Sequence, residues 1–164
     1  MKRTLLFILF ALAVQSVALA QLPSVKLSLA SNKKFDTKNL VDGKTPVVIS
    51  FWSISCDPCI QEIDALNEAY DDWQEEVPFT LVLISTDDTR FTAQARAFAK
   101  TRGWSDFVCL YDVNNDFKRA MNVVFTPHSF VVAPDGTIVH SQTGYNPGAE
   151  GEILAALKKL EISE

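Results

Sequence analysis

The sequence predicts an α/β fold, a central mixed sheet with helices on both faces that ends in an antiparallel hairpin and a C-terminal helix. Three observations carry this prediction. Short runs rich in Val, Ile and Phe alternate with stretches whose apolar residues return at steps of three and four, and strands alternating with helices argue for a layered sheet. A tight-turn signature, Ala133-Pro-Asp-Gly-Thr137, joins two late β-like runs and makes them antiparallel neighbours. No repeat, low-complexity tract or internal linker divides the 164 residues, so one domain with a substantial core is expected.

In chain order, the first extended segment is Val25 to Leu29 and the second Val47 to Ser53, an apolar run through Phe51 and Trp52. A helix follows from about Pro58 to Glu76. Ile60, Ile63, Leu66, Ala69, Tyr70 and Trp73 share its inner face, and Pro58 sits in the first turn, where a missing N–H matters little. Phe79 to Ser85 is the next strand, then a helix over about Phe91 to Arg102, a strand at Phe107 to Leu110 and a short helix at about Asn115 to Met121. His128 to Ala133 and Thr137 to Gln142 form the hairpin, the latter as the outer strand. The last helix spans about Pro147 to Leu160.

The first twenty residues have the layout of a secretory signal peptide, with basic Met1-Lys-Arg3, an apolar stretch from Leu5 to Val14 and an Ala18-Leu-Ala20 cleavage site. The alternative is an uncleaved anchor helix, but the apolar stretch is short for a span and is interrupted by Gln15 and Ser16. Cleavage before Gln21 is expected, leaving residues 21–164 as one exported, soluble, periplasmic domain. No cysteine follows the cleavage site, so nothing supports a lipoprotein anchor. Losing Lys2 and Arg3 and no acid takes the formal charge from −5 to −7. That charge argues against nucleic acid as a partner.

Three cysteines do not make a stapled secreted scaffold, which wants a larger, even number spread along the chain. Two of them stand in Cys56-Asp-Pro-Cys59, behind a strand and at the opening of a helix. A sulfur delivered there lies near unpaired backbone N–H groups and the positive end of the helix dipole, both of which stabilise a thiolate. The spacing puts the second sulfur one helical turn on, close enough to attack a mixed disulfide formed by the first. Cys56 is thus expected as nucleophile and Cys59 as resolver.

Phe51-Trp-Ser-Ile-Ser-Cys-Asp-Pro-Cys-Ile-Gln-Glu62, taken with Phe125-Thr-Pro-His-Ser-Phe-Val-Val-Ala-Pro-Asp-Gly136, resembles the thioredoxin-fold superfamily and, within it, the exported TlpA/ResA-like thiol-disulfide oxidoreductases. The likeness covers the chain beyond residue 20 nearly end to end and follows the family's order of elements. It implies a redox-active Cys56–Cys59 disulfide with no organic cofactor. It implies that Pro127 is a cis-proline lying against the sulfurs and that Thr126 offers its backbone to an extended substrate segment. Trp52, Asp57 and Pro58 join them on the substrate side, with two roles open for Trp52, core packing and a lid over the disulfide. Glu62 follows Cys59 by three residues, on the same helical side. The resemblance implies a carboxyl there that exchanges the Cys59 proton, whereas spacing alone favours an ordinary solvent-facing glutamate. The implied role is reduction of disulfides in oxidised exported proteins, apocytochrome c among them, with a membrane electron-relay protein resupplying electrons.

The chain also departs from the family pattern. Ser50 stands where cytosolic thioredoxins carry a buried aspartate, which raises the stake on Glu62, and Ser55 replaces an aromatic before the first cysteine. Asp57 puts a negative charge beside Cys56, opposing the thiolate and favouring the disulfide at equilibrium. The couple is therefore expected nearer thioredoxin, at about −270 mV, than a strong oxidant near −120 mV. An oxidase or isomerase would share this fold and differ in potential.

Cys109 reads as a small buried hydrophobe, and His128 either faces the sulfurs or turns away. His140 reads as an outward edge residue, Trp73 and Trp104 as packing, and Asp71, Asp72, Glu75 and Glu76 as a solvated helix face. A copper or zinc site on Cys56, Cys59 and a histidine would want more ligands than the sequence offers. A peroxidase would want proline where Ile49 stands, although Ser53 fits.

Overall fold

The computed structural model describes residues 21–161. The expected signal peptide, residues 1–20, lies outside them. In chain order the elements are β1 (Lys26–Leu29), β2 (Lys34–Asp36), β3 (Val47–Trp52), α1 (Asp57–Glu76), β4 (Thr80–Ser85), α2 (Thr92–Thr101), β5 (Val108–Tyr111), α3 (Asp116–Ala120), β6 (His128–Val132), β7 (Ile138–Thr143) and α4 (Glu150–Glu161). Short 3-10 turns occupy Thr37–Leu40 and Trp104–Asp106. Among the described residues no helix is long and apolar enough to cross a membrane.

The strands form one mixed sheet in the order β2-β1-β5-β4-β3-β6-β7. β3 pairs in parallel with β4, and β4 with β5. β6 runs antiparallel to β3, and β7, the outer strand, antiparallel to β6. The expected mixed α/β architecture is therefore the one observed. The hairpin turn follows from its residues. Ala133 N–H donates to Thr137 O at 2.8 Å, Asp135 Oδ1 accepts from Thr137 N at 2.8 Å, and Gly136 takes a φ of 89° that a side chain disfavours.

All six residues of β3 are buried, because the strand is covered on both faces. Val48 and Trp52 point to one side, into a cluster with Ile63, Leu66 and Trp73 of α1, Ala95 and Ala99 of α2 and Ile153 of α4. Val47, Ile49 and Phe51 point to the other, against Phe117 of α3, Met121, Leu27 and Leu40. Each fully buried aliphatic or aromatic side chain stabilises the fold by roughly 1.5–3 kcal/mol, so this central strand holds α1 firmly against the sheet.

Three details correct the expectation. β2 was not anticipated, since Lys33 and Lys34 leave only Phe35 as an apolar signal. It forms as an edge strand hydrogen-bonded to β1, so both margins of the sheet are antiparallel. Phe107 closes the 3-10 turn through its N–H to Trp104 O at 3.1 Å instead of opening β5. Finally, α4 begins at Glu150 rather than Pro147, because Gly148 has a φ of 95°, which no right-handed helix accommodates.

Candidate active site

β3 ends at Trp52, and the loop of residues 53–55 carries the chain to Cys56, the N-cap of α1, with an extended backbone at φ −104° and ψ 90°. Cys56 O accepts from Cys59 N at 3.0 Å and Ile60 N at 3.1 Å, so the cysteine starts the helix while its side chain projects from the helix end. Cys56 Sγ accepts from Cys59 N at 3.3 Å. Asp57 and Pro58 occupy the first turn and are exposed.

Cys56 and Cys59 are joined in a disulfide whose two sulfurs differ in surroundings. Cys56 is partly exposed, whereas Cys59 is fully buried. Opposite them the loop before β6 brings Thr126, whose hydroxyl donates to Cys56 Sγ at 3.7 Å, and the Thr126–Pro127 peptide bond is cis. Val124 and Phe125 immediately precede Thr126 and are 70% and 71% exposed, which makes an apolar rim next to the residue that reaches Cys56.

Glu62 is wholly buried, so the solvent-facing alternative does not hold. Its Oε2 accepts from Ser50 Oγ at 2.7 Å and Ser129 Oγ at 2.8 Å, and Gln142 Nε2 stands 3.5 Å from Oε1. Ser50 lies directly opposite Ser129 in the β3–β6 register, and Ser129 opposite Gln142 in the β6–β7 register. The three form a polar row across three strands, under the first turns of α1. Burial pushes the Glu62 carboxyl above the usual range. The three hydrogen bonds oppose that shift, and the nearby Glu150 charge adds to it.

The other predicted residues fall as follows. Trp52 is 1% exposed and packs edge-on against Trp104, with ring centroids 5.1 Å apart, and beside Phe98, so of its two open roles packing is the one its position serves. His128 occupies the sheet face away from α1. Its ring hydrogen-bonds Ser141 Oγ at 2.8 Å and Thr143 Oγ1 at 3.0 Å and stacks on Phe130. Partial burial lowers its pKa. His140 is half-buried, with Nε2 3.2 Å from Gln142 Oε1. Cys109 is half-buried rather than sealed. Its thiol donates to Trp104 O at 3.3 Å, and burial pushes its pKa up to about 11. Among the described residues no group of three or more His, Cys, Asp and Glu side chains could hold a metal ion.

Sequence reasoning missed Ser129, Gln142 and Asp87. A signal existed for the first. Ser50 interrupts the otherwise apolar β3 and Ser129 leads into the apolar Phe130-Val-Val132 run of β6, and paired buried hydroxyls call for a buried polar partner. Asp87 follows β4, is 7% exposed, and accepts from the Ile54 amide of the active-site loop.

Comparison with known proteins agrees with this geometry. The family model described as Redoxin matches residues 18–157. The chain is 25% identical over 122 residues, covering 74% of its own length and 67% of the relative's, to thiol-disulfide oxidoreductase ResA of Bacillus thuringiensis subsp. konkukian. It superposes with a TM-score of 0.76 and 38% identity on the solution structure of a thioredoxin-like protein from Porphyromonas gingivalis, covering 87% of this chain and 92% of that one. The thioredoxin domain of a thiol-disulfide oxidoreductase from Bacteroides vulgatus matches with a TM-score of 0.68 at 19% identity, over 88% of this chain and 98% of that domain, a likeness of fold. With its helix-capping Cys56–Cys59 disulfide, the chain belongs to the Redoxin family, as a thioredoxin-fold thiol-disulfide oxidoreductase of the TlpA/ResA-like kind.

Proposed function

We propose that this oxidoreductase is a reductant of disulfides in exported client proteins. In the reduced protein the Cys56 thiolate attacks one sulfur of a client disulfide. A Cys56–client bond forms, the client S–S bond breaks, and one client thiolate leaves. Cys59, once deprotonated, attacks Cys56 Sγ, so the Cys56–Cys59 bond forms and the second client thiolate leaves. Two electrons pass from the dithiol to the client. The observation that carries the exchange itself is the burial of Glu62 one turn beyond the buried Cys59. A sealed thiol has no access to water and needs an internal proton acceptor.

Thr126, which precedes the buried cis Pro127, joins exposed Asp57 and Pro58 and the apolar rim of Val124 and Phe125 in the surface on which an extended client segment lies. The direction of electron flow rests on Asp57, whose charge beside Cys56 disfavours the thiolate and so favours the oxidised protein with the client reduced. The exported, periplasmic location rests on the signal-like residues 1–20, with cleavage before Gln21. The ResA-like kinship supports apocytochrome c among the clients and a membrane electron-relay protein as the donor that restores the dithiol.

The deciding experiment equilibrates the domain with defined dithiothreitol or glutathione ratios and traps the thiols. A potential below about −240 mV supports the reductant, and one above about −180 mV makes it an oxidase or isomerase. A Cys59→Ser variant in its host should accumulate mixed disulfides through Cys56 and so identify the clients. Absence of any trapped partner counts against the reading.

A further inference from the structure

The chain leading into Cys56 is clamped from β4. Trp52 and Ser85 are the last paired residues of β3 and β4. Beyond them, Trp52 O accepts from Thr86 N at 2.8 Å and from Thr86 Oγ1 at 3.1 Å. One residue on, both oxygens of Asp87 accept from Ile54 N, at 3.3 and 3.2 Å, and Ser85 Oγ donates to Asp87 Oδ2 at 2.9 Å. Ile54 lies two residues before Cys56, and Cys56 N closes the loop onto Ser53 O at 3.2 Å.

Asp87 is only 7% exposed, and no ion pair among the described residues includes it. A nearly buried carboxylate without a cation is costly and persists where its hydrogen bonds are needed. Its main-chain donor outside its own turn is the Ile54 amide of the loop that presents the nucleophile. Resting on the reading of Cys56 as the attacking sulfur, we propose that Asp87 is a positioning residue. It holds the Ile54 amide, and through residues 53–55 it fixes Cys56 at the helix N-terminus within reach of Cys59. It touches neither substrate nor sulfur.

The test compares the wild-type domain with Asp87→Asn and Asp87→Ala in glutathione buffers. It reads the effective molarity with which Cys59 closes the disulfide onto Cys56. Asparagine keeps an acceptor for the Ile54 amide and removes the charge, whereas alanine removes both. The expected result is a roughly tenfold lower effective molarity for Asp87→Ala, the scale set by losing one hydrogen bond to a charged acceptor and equivalent to about 30 mV for a two-electron couple, with a smaller loss of about threefold for Asp87→Asn, which keeps a weaker, neutral acceptor. Equal shifts in both variants would assign the effect to charge and overturn the proposal, as would no shift in either. Should Asp87→Ala not fold, hydrogen exchange of the Ile54 amide in the wild type decides. Protection supports the clamp, and exchange at the rate of an unstructured peptide overturns it. Because the comparison is between variants, it stands or falls separately from the wild-type potential that decides whether the protein is a reductant.

Discussion

Removing the Ser129 hydroxyl tests the proton-exchange role of Glu62 most directly. Ser50 and Ser129 both donate to Glu62 Oε2, at 2.7 and 2.8 Å, and these bonds favour the ionised carboxyl against the burial that raises its pKa. A hydrogen bond to a charged group contributes about 1.5–3 kcal/mol. In Ser129→Ala the Ser50 bond survives and the carboxylate can settle towards it, so the lower figure applies. At about 1.4 kcal/mol per pKa unit, the acid limb of any rate that needs ionised Glu62 moves up by about one pH unit. The assay is single-turnover release of the second thiol from a disulfide-bonded client peptide, the step that requires deprotonated Cys59, measured from pH 4 to 9. Ser50→Ala is expected to behave alike and the double variant to shift further, with unchanged circular dichroism as the folding control. An acid limb that stays in place, or moves to lower pH, refutes the assignment of Glu62 as the acceptor held by these hydroxyls.

Glu62→Gln makes a stability prediction whose sign follows from the same shift. The folded-state pKa of Glu62 is raised above an unfolded value near 4.5, so the stability linked to its protonated form is fully present below about pH 4.5 and is lost as pH rises through the folded pKa. Glutamine does not titrate, so urea unfolding should show the variant gaining on the wild type as pH rises from 4 to 8. A difference independent of pH contradicts the burial argument. Trp52→Ala should lose about 3–5 kcal/mol in the same assay, as expected for a large aromatic removed from a core, because its ring is 1% exposed between Trp104 and Phe98. A loss under about 1 kcal/mol would mean that Trp52 is not a core residue.

Much of the fold was legible along the chain. The α1 pattern from Ile60 to Trp73, the continuous apolar run of β3 and the Ala133 to Thr137 turn each signal an element within a few neighbouring residues, and their bounds lie within one or two residues of those observed. β2 was not legible, because an edge strand of three residues, Lys34–Asp36, forms through pairing with β1 and carries little hydrophobic pattern of its own. The two cysteines were legible for the same local reason, since a strand, a CxxC and a proline in the first helical turn adjoin one another.

The rest of the site was decided by tertiary structure. Helical spacing placed Glu62 on the side of Cys59 but left open whether that side met solvent or sheet. Docking of α1 onto β3 and β6 settled it, along with the row of Ser50, Ser129 and Gln142 that meets the carboxyl. Asp87 likewise reaches Ile54 across 33 positions of sequence, and Gln142 reaches Glu62 across 80. What the sequence determined was the periodic and turn-forming pattern that makes the elements and the cysteine pair at the head of α1. Which polar groups meet in the interior depends on strand register and helix docking between distant segments, and no local pattern encodes that.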